Sequence, residues 1–228
     1  MNRGEAMVVE LRDIPLREVL HYLGWRGTPV DDALLGQIKD TVVLALKNVQ
    51  PLFTLRRFAI LPDGTLEGTT FAPAGDSIGK MLGSCHEAVL LAATLGAQTE
   101  RLLLRTQAQD AGKALLLDAA LSAGIEEVLD RQEAQLRRQL LLQGLYLTDR
   151  FSPGYGDMPV TQTREICEVL QAQRQIGLTV SKSGVMIPRK SVTAIMGISK
   201  TPVARRPRGC AGCEARANCA FRREETDD

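Results

Sequence analysis

Asp149-Arg150-Phe151-Ser152-Pro153-Gly154-Tyr155-Gly156-Asp157 is the stretch around which this chain is organised, and it follows a short apolar run, Leu145-Tyr146-Leu147. Pro153 restricts one backbone angle, while Gly154 and Gly156 admit positive angles on either side of Tyr155. A loop of this kind can bring bare backbone up to a ligand while the tyrosine presents a flat ring and a hydroxyl. Arg150 adds a permanent positive fork suited to a carboxylate. The same residues also describe a strand-ending turn with an exposed arginine, and composition alone does not separate the two.

Downstream, Thr161 to Gln173 reads as a helix with Ile166, Val169 and Leu170 inward and Cys167 as a small core residue. Gly177-Leu178-Thr179-Val180-Ser181 and Ser183-Gly184-Val185-Met186-Ile187-Pro188 read as strands, and Ser191 to Gly197 as the last strand, with antiparallel neighbours. Upstream, the pattern from Ala97 to about Gln143 is helical, divided into one helix to about Gln109 and a longer one from Asp110 to Leu142. Gly112 and Gly124 lie inside the longer helix, where each costs ~1 kcal/mol relative to Ala. That cost marks close packing, so the helix is expected to lie across a sheet. Its later part, Asp130 to Arg138, reads as a charged, solvated face, with acids interleaved among the bases rather than a nucleic-acid stripe.

The run Ala88-Val89-Leu90-Leu91-Ala92-Ala93-Thr94-Leu95-Gly96 suits a strand buried on both faces. Cys85-His86-Glu87 before it invites a metal or nucleophile reading, but adjacent residues on a strand alternate faces and cannot converge on one ion without a turn. Packing is the simpler account. Closer to the start, Pro15 fits the first turn of a helix that Gly24 ends, and Trp25 reads as a lid on the core. Asp31 or Asp32 can cap a helix running to about Val49. Thr54 to Ile60 and Thr65 to Phe71 read as a hairpin about Pro62-Asp63-Gly64, and Asp76 or Ser77 caps a short helix.

The 228 residues, 44% of them apolar, suffice for one large domain or for one domain with an appendage. A formal net charge of +1 gives no field that would draw nucleic acid or an anionic membrane. No apolar run reaches ~18 residues and no apolar signal region follows Met1, so a soluble, cytoplasmic protein is expected. The 5 cysteines are an odd number crowded towards one end, which favours thiol or metal chemistry over a secreted disulfide framework. Behind a Pro/Arg-rich linker, Cys210, Cys213 and Cys219 form a C-x2-C-x5-C array. Three thiolates leave a zinc site one ligand short, whereas an iron–sulfur cluster can leave one iron for an outside ligand. Incidental thiols in a tail are the remaining reading.

Arg150 with Gly154-Tyr155 resembles the Arg-x-x-x-Gly-Tyr motif of the activation domain of cobalamin-dependent methionine synthase. Two further segments resemble that family in order and spacing: Gly177-Leu178-Thr179-Val180, and Met186-Ile187-Pro188-Arg189-Lys190-Ser191-Val192. The likeness spans roughly residues 85–197. Gly156 departs from the family, which usually has Pro there, as in a smaller stand-alone branch; the helix followed by Tyr22-Leu23-Gly24-Trp25-Arg26-Gly27 also looks like that branch. The resemblance implies an α+β fold, an antiparallel sheet flanked by long helices. On this division, residues 1–84 form an N-terminal helical and hairpin part, 85–199 the ligand-binding core, and 200–228 the linker and cysteine tail.

What the resemblance implies for function is S-adenosylmethionine binding, with Arg150 on the ligand carboxylate, Gly154 allowing backbone approach and Tyr155 covering the sulfonium. Pro153 and Gly156 would shape the loop, Met186, Pro188 and Ser191 would line the opposite wall, and Asp13 is a candidate for an acidic residue near the ligand. The implied task is reductive methylation, and so reactivation, of cobalamin. With no cobalamin-binding module of its own, the chain would act on a separate methionine synthase core or another corrinoid protein, together with an electron donor. The rival is a non-catalytic S-adenosylmethionine or corrinoid sensor that regulates a partner. A conventional methyltransferase is disfavoured, because no Gly-rich loop follows an N-terminal strand.

Overall fold

A computed structural model describes residues 6–25 and 29–203. At its centre is β3 (Glu87–Thr94), paired along its whole length with two neighbours. β2 (Leu52–Ala59) runs antiparallel to it from Leu52↔Thr94 to Ala59↔Glu87. β7 (Ser191–Ser199) flanks the other side from Glu87↔Ile198 to Thr94↔Ser191. The edges are β1 (Met7–Val8) and β4 (Tyr146–Leu147), giving the order β1-β2-β3-β7-β4 with every pairing antiparallel. β3 is continuously apolar because both of its faces are covered: Val89, Leu91 and Ala93 enter one core, Ala88, Leu90 and Ala92 the other. The α+β class with an antiparallel sheet is therefore what the chain adopts.

On one face lie α1 (Leu16–Tyr22), α2 (Asp32–Asn48), α4 (Ala97–Gln109) and the long α5 (Ala111–Leu141). Asp31 and Asp110 cap α2 and α5, accepting the backbone N–H groups of Leu34 at 2.8 Å and Lys113 at 2.9 Å. The close packing expected at Gly124 is present: a Cβ there would stand 3.3 Å from both Ile14 Cδ1 and Leu11 Cδ2. Gly112 has no such neighbour and meets only the Asp110 cap, at 3.4 Å. On the other face lie α3 (Asp76–Leu82), α6 (Gln162–Val169), α7 (Ala172–Ile176) and a small ribbon of β5 (Thr179–Val180) and β6 (Met186–Ile187). No described helix is long and apolar enough to cross a membrane.

Two local expectations give way. The returning strand over 65–71 is replaced by a tight turn, with a single bridge between Ile60 and Leu66. Leu66 N–H donates to the Phe71 carbonyl at 2.9 Å, and Gly68 takes a φ of +73°, so both large side chains drop into the core beside β2. The helix expected over 161–173 breaks at Gln171, whose φ is +52°. Its apolar stripe slips phase: Ile166 and Leu170 face inward, and then Ala172 and Ile176 do. An unbroken helix would have carried Gln173 and Arg174 round to the core instead.

Candidate functional site

The loop after β4 is fastened to β7 before it turns outward. Thr148 N–H donates to the Gly197 carbonyl at 2.9 Å, and Phe151 exchanges backbone hydrogen bonds with Ile195 at 2.9 and 2.8 Å. Phe151 and Met158 are buried in the second core and pin both ends of the turn. Between them Gly154, at φ +91°, donates to the Met158 carbonyl at 2.9 Å, and Tyr155 N–H to the Ser152 carbonyl at 3.1 Å. Gly156, at φ +52°, is closely confined, since a Cβ would approach Ser77 Oγ to 3.1 Å and Phe151 Cζ to 3.4 Å. Asp157 then accepts the backbone N–H groups of Asp76 and Ser77, at 2.5 and 3.0 Å, capping α3 from a distant part of the chain. Pro153 stands half-buried at the turn. Out of this rigid loop projects Tyr155, 70% exposed.

Arg150 turns the other way, onto α5. Its Nη2 lies 2.8 Å from Asp130 Oδ1 and 3.1 Å from Glu126 Oε2, and its Nε 3.5 Å from Glu133 Oε2. Glu126, Asp130, Glu133 and Arg137 recur at helical spacing, so one stripe of α5 faces the loop. Arg137 pairs with Glu133 Oε1 at 2.8 Å and donates to the carbonyls of Leu147 and Thr148, tying the end of β4 to the same stripe. The face over 130–138 is thus not simply solvated: Glu133 is buried and the loop's arginine docks on it. Glu126 and Asp130, the two half-exposed acids beside the guanidinium, give the place a mixed charge that suits a zwitterion.

Tyr22, at the end of α1, belongs to the same neighbourhood. Burial pushes its hydroxyl up to about 12, and the charges of Glu126, Tyr155, Glu18 and Asp130 add to the shift. Asp13 is exposed, between Leu11 and Ile14, which both reach Gly124 on α5. Arg150, Tyr155, Glu126, Asp130 and Tyr22 therefore come together where α1, α5 and the loop meet. The acids and Tyr22 were not singled out from sequence. The signal for the acids was their spacing of three to four residues along the helix that precedes a loop bearing an arginine.

Met186, Pro188 and Ser191 form a separate group towards the start of β7. Met186 packs partly buried against the second core, Pro188 is buried after a cis peptide bond, and buried Ser191 holds its Oγ 2.8 Å from Thr94 Oγ1 and 2.6 Å from the Pro188 carbonyl. Ser191 lies four residues along β7 from Ile195, the partner of Phe151, or about 13 Å. Lys190 beside it reaches α5, with Nζ 2.8 Å from Asp118 Oδ1 and 2.7 Å from Ser122 Oγ.

Cys85, His86 and Glu87 do not converge. Cys85 packs its sulfur on Gly197, His86 joins the sheet through its backbone, and Glu87 pairs with Arg57. Burial raises the Cys85 thiol, and pushes that of Cys167 up to about 11. Among the described residues no group of His, Cys, Asp and Glu is placed to hold a metal ion. Cys210, Cys213 and Cys219 lie outside the described residues.

Residues 126–203 match the family described as vitamin B12 dependent methionine synthase, activation domain. That span begins at Glu126 and runs through the loop to just past the end of β7. Among solved structures, the crystal structure of the MetH reactivation domain bound to AdoHcy superposes with a TM-score of 0.55 at 17% identity. The match covers 86% of this chain and 78% of that one. No curated protein sequence matches. The chain therefore resembles the activation domain of vitamin B12 dependent methionine synthase, in sequence across residues 126–203 and in fold across most of its length.

Proposed function

We propose that the chain binds S-adenosylmethionine where Arg150 and Tyr155 meet α5, and supports reductive methylation of cobalamin carried by a separate methionine synthase core or other corrinoid protein. The observation that carries this reading is the placing of one guanidinium between two half-exposed carboxylates, on a loop that also projects an exposed tyrosine. S-adenosylmethionine carries a carboxylate, an ammonium and a sulfonium, and each finds a complement: Arg150 for the first, Glu126 or Asp130 for the second, and the Tyr155 ring for the third. Arg150 Nη1 is buried with no hydrogen-bond acceptor among the described residues, a donor that an incoming carboxylate would satisfy. The family match and the AdoHcy-bound structure of similar fold point the same way.

The chemistry asks little of side chains. The sulfonium is already an activated leaving group, so its methyl passes to cobalt once a separate electron donor has reduced the corrinoid, and S-adenosylhomocysteine is released. Holding the donor in line is the protein's share, which a loop fastened to β7 and α3 is built to provide. Met186, Pro188 and Ser191 belong to this proposal as the more distant wall. Calorimetric titration of the wild type and of Arg150→Ala tests it. Binding by the wild type that is lost in the variant is expected; equal binding by both would remove Arg150 from the site.

A further inference from the structure

We infer that Glu133 is a positioning residue, holding the Arg150 guanidinium ready for the ligand carboxylate; this rests on the binding reading above. Three acids surround Arg150, and they differ in solvent access. The side chains of Glu126 and Asp130 are 41% and 43% exposed, that of Glu133 only 2%. Exposed ion pairs exchange readily with solvent or with another charged group, whereas breaking a buried pair strands a charge. A ligand bringing its own carboxylate and ammonium can therefore part Arg150 from Glu126 or Asp130, with the released acid taking the ammonium. It cannot part Arg150 from Glu133 at comparable cost.

Glu133 also joins two parts of the site through its two oxygens. Oε2 faces Arg150 Nε, while Oε1 accepts from Arg137 Nη2 at 2.8 Å. The same Arg137 nitrogen donates to the Thr148 carbonyl at 3.0 Å, two residues before Arg150. One buried carboxylate thus fixes both where the backbone enters the loop and how the guanidinium is turned. With Nε held towards Glu133 and Nη2 towards Glu126 and Asp130, Nη1 is the donor left over. Sequence spacing alone gave Glu133 no such part, because it reads as one charge among several on an exposed face.

The test is a double-mutant cycle on S-adenosylmethionine affinity, using Glu133→Gln, Arg150→Ala and the double variant, with thermal unfolding measured on each. Glutamine keeps the size and the carbonyl that Arg137 needs but loses the charge. We expect Glu133→Gln to weaken binding about tenfold, and the double variant to bind no worse than Arg150→Ala alone. Glu133→Asp, measured in parallel, keeps the charge with a shorter reach and is expected to lie between wild type and Gln; affinity below that of Gln would overturn the role assigned to the charge. Wild-type-like binding by Glu133→Gln, or losses that multiply in the double variant, would overturn the positioning role while leaving the site in place. No binding by the wild type would overturn the site and the inference together.

Discussion

The Asp157 carboxylate accepts the backbone N–H of Ser77 at 3.0 Å, joining the end of the Arg150 loop to the first turn of α3. The Ser77 backbone and hydroxyl, then Asp76, hold this exposed carboxyl below the usual carboxylate range. Its folded value lies under its unfolded one, so the stability it contributes is present at neutral pH and is lost as pH falls through the folded value. Asp157→Asn should therefore lower the melting temperature at pH 7, and the gap to wild type should close on acidification. Melting curves that stay equally far apart down the acid limb would contradict this.

Gly156 is confined by the same contact. At φ +52°, with Ser77 Oγ 3.1 Å from where a Cβ would stand, Gly156→Ala meets both backbone strain and a crowded neighbour. A loss of about 1–2 kcal/mol in urea unfolding is expected, and Ser77→Ala in the same chain should recover part of it. Independent, additive losses would show that the two residues do not touch.

Gly197 packs under Cys85. An added Cβ would collide with Cys85 Sγ and stand 3.0 Å from Leu82 Cδ2. Gly197→Ala should cost about 1–3 kcal/mol, as overpacking does, and Cys85→Ala should relieve much of that cost. Metal content should be the same in wild type and Cys85→Ala, in keeping with a packing role for this thiol.

The Cys167 thiol, pushed up to about 11 by burial, gives a basic-limb prediction. The folded value exceeds the ordinary one near 9.0. The chain therefore retains the proton longer when folded, and stability falls as pH rises from the ordinary value to the folded one. The loss attributable to this group is at most about 3 kcal/mol. Comparing wild type with Cys167→Ala across that range should show a shallower basic decline in the variant; an identical slope would assign the decline to other groups.

Substitutions in the cysteine array test where the electron of the proposed activity comes from. If an iron–sulfur cluster on Cys210, Cys213 and Cys219 delivers the electron, replacing Cys210 and Cys213 by Ser should leave S-adenosylmethionine binding intact and stop reductant-driven methylation. Methylation retained in that double variant would show that the electron comes by another route.

Much of the fold was legible in sequence, because the features concerned are local. The run over 88–96 announced a strand covered on both faces, Asp31 and Asp110 announced two helix starts, and Gly124 announced a close approach. The break at Gln171 was less visible because no Gly or Pro marks it; only the phase slip between Leu170 and Ala172 does, and the core decides which phase prevails. The turn over 66–71 depended likewise on where Leu66 and Phe71 could be buried.

For the site, sequence alone determined the loop: Pro153, Gly154, Tyr155 and Gly156 dictate its backbone, and Arg150 its charge. Tertiary structure alone decided which way that charge points. Arg150 is twenty residues from Asp130 and twenty-four from Glu126 along the chain, and only the packing of α5 beside the end of β4 makes them neighbours. The same packing buries Glu133 while leaving Asp130, one turn away, at the surface. Charge spacing on a helix states which acids share a stripe; how deeply each is desolvated depends on what the rest of the chain lays over it.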